Sequence, residues 1–181
     1  LVSGSPDISQ GAAGTALNLR ATDIEVLVNG VGLELDRYTG GLQANGLMPK
    51  PALELADTNS IWQASNSLKI TAPQGGILLH GAQLSAASME LNASATLSLD
   101  RATLSASQGA ISLRAGTTQG GELKVVDSSV SAATQLSLYG EAAIIHNELS
   151  GVRMGGGALL QAPQVQITGI AMGNTAGVNL L

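Results

Sequence analysis

The chain has 181 residues, 44% of them hydrophobic but only 2% aromatic, with 12% charged and a net charge of −5. That length suits one full domain, and the apolar share excludes a disordered chain. The acidic balance, with eight scattered Lys and Arg, excludes a phosphate-binding surface for nucleic acid, and the absence of cysteine excludes disulfides, thiolate metal sites and Cys nucleophiles.

In chain order, residues 1–15 are small and polar and read as a lead-in segment. The start at Leu1, without an apolar leader-like stretch, suggests a processed product or the ordered part of something longer. ALNLR (16–20), IEVLV (24–28) and GLELD (32–36) alternate apolar and polar residues and predict strands, with a tight turn at Asn29-Gly30. Residues 37–52 are irregular, broken by Gly40-Gly41, Asn45-Gly46, Pro49 and Pro51, and read as a projecting loop or as the joint between a cap and the regular shaft. ALELA (52–56) and SIWQA (60–64) resume the alternation. No apolar run approaches the roughly 18 residues of a membrane span.

From Ser67 to Thr168 one short phrase is repeated many times. SLKI (67–70), GILL (76–79), QLSA (83–86), SMEL (88–91), TLSL (96–99), TLSA (103–106), AISL (110–113) and ELKV (122–125) are its first eight forms. SVSA (129–132), QLSL (135–138), AAII (142–145), GVRM (151–154), ALLQ (158–161) and QVQI (164–167) continue it. Each has the two-residue period of a half-buried strand, and Gly, Ser, Asn, Asp and Pro punctuate the gaps as turn residues. The units recur roughly every 7–8 residues, the mark of a repeat architecture.

These observations predict an all-β, elongated β-helix. Three units make a coil of roughly 22 residues in a single-chain right-handed helix, or each unit lies on one face of a spike intertwined from three chains. Ala, Ser, Leu, Ile and Val inside, with no Phe, suit a narrow core. The division expected is an N-terminal cap or lead-in region at 1–52, a regular shaft at 53–168 and a C-terminal cap or tail at 169–181.

Few residues offer chemistry. His80 and His146 are the two histidines, 66 residues apart, and they lack a third metal ligand in sequence. Asp23/Glu25 and Glu34/Asp36 are i,i+2 acid pairs that could flank a sugar bond, but solvated strand faces explain them as well. Trp62 reads as a plug over the end of the core, and Met89 and Met154 read as core filler. No catalytic, cofactor or metal residue is assigned and no cofactor is expected. Partner contacts are placed in the 37–52 loop, at Tyr38, Gln43, Asn45 and Lys50, because loops on rigid scaffolds collect function. Asn92-Ala93-Ser94 is a glycosylation sequon.

The run ATLSLDRATLSASQGAISLRAG (95–116) resembles the shaft repeats of filamentous-haemagglutinin-type secreted adhesins, although their asparagine-proline-rich secretion signature is absent. Ser67-Leu68, Ala72-Pro73-Gln74-Gly75 and Met89-Glu90 resemble the trimeric stalk of the sarcoglycans, here without a Cys-rich region or an anchor helix. Secretion-system and phage needles share the eight-residue rhythm. These resemblances imply an elongated scaffold outside the cytoplasm. The expected function is a non-enzymatic, extracellular or cell-surface stalk or adhesin shaft. Its expected partners are other protein chains, as a homo- or heterotrimer, with a membrane reached only through an anchor outside this chain. The alternatives are a polysaccharide-degrading enzyme on the same fold and a spike or needle component.

Overall fold

The computed structural model describes residues 2–3, 7–10, 17–28, 33–34, 51–55, 60–116, 121–142, 150–171 and 176–181. Every regular element among them is a strand. β1 (Val2–Ser3) and β2 (Asp7–Gln10) lie antiparallel on β3 (Leu17–Leu27), and β4 (Leu33–Glu34), β5 (Pro51–Leu55) and β6 (Ile61–Ala72) follow. Then the strands come in threes: β7 (Gly76–His80), β8 (Gln83–Ala86) and β9 (Ser88–Ala93); β10 (Leu97–Asp100), β11 (Thr103–Ala106) and β12 (Ile111–Ala115). The same grouping continues with β13 (Leu123–Val126), β14 (Ser129–Ala132) and β15 (Gln135–Glu141); β16 (Val152–Gly155), β17 (Leu159–Gln161) and β18 (Gln164–Ile170); and β19 (Val178–Leu180). Strands coincide with the predicted phrases at 83–86, 103–106 and 129–132.

Among the described residues, all strand-to-strand pairings from β3 onward, apart from those with β1 and β2, are parallel, and a single antiparallel bridge joins Gly121 to Glu141. The larger sheet has the order β17-β14-β11-β8-β6-β9-β12-β15-β18, with β3 on the far side of β6, and the smaller runs β19-β16-β13-β10-β7-β5-β4. Parallel strands are usually buried on both faces and uniformly apolar. Here they alternate: β15 is buried at Leu136, Leu138 and Gly140 and half-exposed between them.

This arrangement corrects the expectation of an elongated β-helix, wound from one chain or from three. The structure is an all-strand fold of two parallel sheets, the larger one built round a compact path of nine parallel strands. The finding that overturns the expectation is β6. Its twelve residues pair with β8 through Ile61–Gln63 and with β9 through Ser67–Ala72, so two rows of strands expected as separate faces of a column fuse into one sheet. All these pairings close within one chain. The accessible surface of 8914 Å² is also near the roughly 8,100 Å² of a compact globular monomer of this mass. The spacing of short apolar phrases dictates how often the chain is extended, but not which edges meet.

Register creates the core. One inward row runs Ile70, Leu91, Leu113, Leu138 and Ile167, and another runs Leu68, Met89, Ile111, Leu136 and Val165. On the smaller sheet Leu79, Leu99, Val125, Met154 and Leu180 are aligned in the same way. Leu91, Leu99, Leu113 and Val125 have no exposed surface, so each contributes roughly 1.5–3 kcal/mol of burial. Trp62 is wholly buried in β6 between Leu19 and Leu84, and Met89 and Met154 are buried too.

The corners also repeat. After β7, β10, β13 and β16, in register, come Gly81, Arg101, Asp127 and Gly156 with φ of 71, 52, 48 and 61°. The left-handed conformation turns the chain toward the next strand at the same height in each row. One step on, buried Ser128 accepts from Ala102 N–H at 3.0 Å and donates to the Val126 carbonyl at 2.7 Å. That satisfies a hydroxyl and an amide that would otherwise be costly to bury.

Candidate functional site

The outward residues of β12, β15 and β18 form a polar surface. Ser112, Ser137 and Gln166 make one row and Arg114, Tyr139 and Thr168 the next. Together with Leu113 and Leu138 they line a shallow groove of about 230 Å³, below the ≈300–1,000 Å³ of a typical small-molecule pocket. The Arg114 guanidinium lies 5.0 Å from the Tyr139 ring centroid, within cation–π range. Tyr139 Oη donates to Glu141 Oε2 at 2.6 Å, and Gln135 Nε2 donates to Ser137 Oγ at 3.3 Å. The hydrogen bond to Glu141, with smaller help from burial and from the Glu141 charge, raises the Tyr139 pKa above its ordinary value of 10.0, and Arg114 opposes it. Tyr139 is therefore a neutral phenol at physiological pH. The groove can hydrogen-bond a polar partner across its width, but its one ring is already covered by Arg114.

A second cluster stands where β7 and β10 end. His80 Nδ1 is 2.9 Å from Asp100 Oδ2, Arg101 Nε is 3.5 Å from Asp100 Oδ1, and Arg101 Nη2 meets His80 Nε2. Both ring nitrogens of His80 thus face side chains of Asp100 and Arg101, which makes the trio a brace between adjacent strands.

The third is an ion pair between a buried carboxylate and a half-buried guanidinium. Glu122 has a side chain 6% exposed, and its Oε1 lies 3.1 Å from Arg153 Nε. Neither atom has a hydrogen-bond partner, so the contact is Coulombic and off the hydrogen-bond angle. Burial pushes the Glu122 pKa above its ordinary 4.5, against the pull of Arg153 and then Lys124. On the outer face of β6 and β9, Lys69 Nζ and Glu90 Oε2 lie 3.7 Å apart, both half-exposed.

The residues picked from sequence fall as follows. Asp23 Oδ1 accepts from Asn66 Nδ2 at 2.8 Å, Ser67 N at 3.2 Å and Ser67 Oγ at 2.5 Å, which ties β3 to β6 next to the register shift between Ala21 and Asp23. Asn92 is half-buried on β9, between Thr71 and Arg114 in register. Tyr38, Gln43, Asn45, Lys50, Asp36 and His146 lie outside the described residues, as does the side chain of Glu34. Among the described residues no three of His, Asp and Glu gather at metal-ligand spacing, and no helix is long and apolar enough to cross a membrane. The sequence reading missed the Arg114–Tyr139–Glu141 cluster and the Glu122–Arg153 pair. The i,i+2 spacing of Tyr139 and Glu141 was a readable signal, while Arg114 and Arg153 arrive through pairing with strands 25 or more residues away. Comparison with protein-family models, with curated proteins and with solved structures finds no match.

Proposed function

We propose that this chain is a non-enzymatic structural module that works outside the cytoplasm, in adhesion or in assembly with other protein chains. One observation carries the reading: among the described residues, four groups of charged side chains pair with one another along the sheets, and in the shallow groove Arg114 and Tyr139 are already engaged with each other and with Glu141. Lys69 with Glu90, His80 with Asp100 and Arg101, Glu122 with Arg153, and Arg114 over Tyr139 with Glu141 are all partnered along the sheet surfaces. A catalytic constellation needs at least one such group aimed at substrate. These groups stiffen the surface, and the polar groove on β12, β15 and β18 is where an adhesive contact would form. The extracellular part of the reading is supported by the resemblance of 95–116 to adhesin shaft repeats.

An antibody to the chain applied to intact, unpermeabilised producing cells tests the location, and acidic polysaccharides incubated with the purified chain test the chemistry. Surface staining that mild protease removes, with no new reducing ends, is the expected result. Detection only inside the cell, or turnover of the polysaccharide, overturns the proposal.

A further inference from the structure

The outward face of the larger sheet carries one polar row that crosses five strands. Thr71 on β6, Asn92 on β9, Arg114 on β12, Tyr139 on β15 and Thr168 on β18 stand side by side in register. At about 4.8 Å between strands the row is roughly 19 Å long. Every member ends in a hydrogen-bonding group, and none is a carboxylate. Beside it, Ser112, Ser137 and Gln166 form the parallel row that completes the groove of about 230 Å³.

Arg114 sets this row apart. It is exposed, on a strand paired on both sides with β9 and β15. Elsewhere on the same sheet Lys69 faces Glu90, and Arg20 donates to Gln63 Oε1. Among the described residues neither a carboxylate nor another acceptor oxygen meets Arg114, and its contact is the Tyr139 ring. A ring offers no lone pair, so the guanidinium keeps its planar fork of N–H donors, and a carboxylate is the acceptor that fits that fork. Glu141, two residues beyond Tyr139, accepts from the Tyr139 hydroxyl instead.

The flanking groups select the rest of the ligand. Ser, Thr, Asn and Gln side chains both donate and accept, while Leu113 and Leu138 are buried in the core, so an apolar peptide side chain finds no wall here. The one ring is already covered by Arg114, which denies a nucleobase its stacking platform. A chain of hydroxylated rings bearing carboxylates satisfies both the fork and the row of hydroxyls.

We propose that this row and groove bind a linear polysaccharide built from uronic acids, lying across the strands with a carboxylate on Arg114 and hydroxyls on Asn92, Ser112, Ser137 and Thr168. The proposal rests on the adhesion reading above and names what is adhered to. The net charge of −5 repels such a polymer at long range, and physiological salt screens that repulsion beyond about 8 Å, so the contact at Arg114 decides binding.

NMR titration of the isotope-labelled chain with trigalacturonate tests it. Amide shifts centred on Asn92, Arg114, Tyr139 and Thr168 are expected, with a dissociation constant on the order of 0.1–1 mM, as suits a shallow groove. Arg114→Gln should weaken binding at least about tenfold. Lys124→Gln, which removes the same charge from the smaller sheet, should leave it unchanged. The sugar-free spectrum of each variant reports its fold. Maltotriose, which lacks carboxylates, and triglutamate, which lacks hydroxyls, should each bind at least about tenfold more weakly. Shifts elsewhere or none at all, triglutamate as tight as the sugar acid, or equal losses from the Arg114 and Lys124 variants overturn the proposal. Monomeric galacturonate as tight as the trimer overturns it too, since the site would then take a free sugar acid and not a polymer. Surface staining reads the location without the groove. A surface chain that binds no uronic acid polymer sinks this proposal alone, and a binding chain found only inside the cell sinks the location alone.

Discussion

Arg153, on β16, reaches along the smaller sheet to Glu122, with its Nε 3.1 Å from the carboxylate Oε1, so a buried carboxylate faces a half-buried guanidinium without an aligned hydrogen bond. Desolvation outweighs attraction, so the Glu122 pKa is raised. Below the ordinary 4.5 both folded and unfolded chains hold the proton. Above that value the unfolded chain releases it first, and stability falls as pH rises until the folded carboxyl ionises too. Glu122→Gln should remove that fall. Urea denaturation at pH 4 and pH 7 checks it: the wild type should lose more stability between the two than the variant. Arg153→Ala takes away the opposing charge and should cost about 1–3 kcal/mol at pH 7, with a steeper fall above pH 4.5.

Tyr139 offers a cleaner titration. Its hydroxyl donates to Glu141, and that bond is the main cause of its raised pKa. Glu141→Gln removes the charged acceptor, so Tyr139 should ionise at lower pH than in the wild type. Ultraviolet titration of the phenolate in a Tyr38→Phe background isolates the signal, since Tyr38 is the other tyrosine. An unchanged midpoint would mean that the Tyr139–Glu141 bond does not form in solution. Arg114→Ala should move the midpoint further up, because Arg114 favours the phenolate.

How far these features could be read from sequence depends on range. β8, β11 and β14 are the phrases QLSA, TLSA and SVSA, because alternation is a local property and Gly and Ser mark its ends. Two predicted strands, 16–20 and 24–28, are one strand, β3, since the irregularity between Ala21 and Asp23 is absorbed by pairing with β6. The fusion of two strand rows through β6 left no local mark, because Asn66 between its halves looks like a turn residue and only the neighbours β8 and β9 hold it extended. The site clusters followed the same rule. Tyr139 and Glu141 sit two apart on one strand, whereas Arg114 and Arg153 take their places through registers that composition does not encode.

The repeated corner makes a prediction about backbone strain. Asp127 sits at φ 48° and its Oδ1 accepts from Gly157 N at 2.6 Å. A Cβ on Gly156, itself at φ 61°, would stand 2.1 Å from that oxygen. Gly156→Ala should therefore destabilise by about 1–3 kcal/mol, from left-handed strain and from displacing the Asp127 carboxylate. Asp127→Gly should be nearly neutral, because relief of about 1–2 kcal/mol of strain offsets a lost bond of about 1 kcal/mol. Asp127→Ala gains no relief and should cost about 1 kcal/mol. Thermal melts of the three variants check that ranking, and an Asp127→Ala chain more stable than Asp127→Gly would contradict it.

Leu113 and Ile167 occupy the same inward row, two strands apart, and they should not cost the same to truncate. Leu113 is wholly buried, with Leu91 on one side and Leu138 on the other, while Ile167 on β18 has Leu138 on one side and, among the described residues, no strand on its other. Leu113→Ala leaves a cavity walled on both sides and should cost about 2–5 kcal/mol. Ile167→Ala opens a site already half in solvent, and about 1 kcal/mol is expected for a monomer. Leu113→Asp should prevent folding outright, because a carboxylate there would be buried without a partner. Denaturant midpoints measured at low concentration separate the two alanine variants. Equal costs would show that the row from Ile70 to Ile167 is not packed in the register observed.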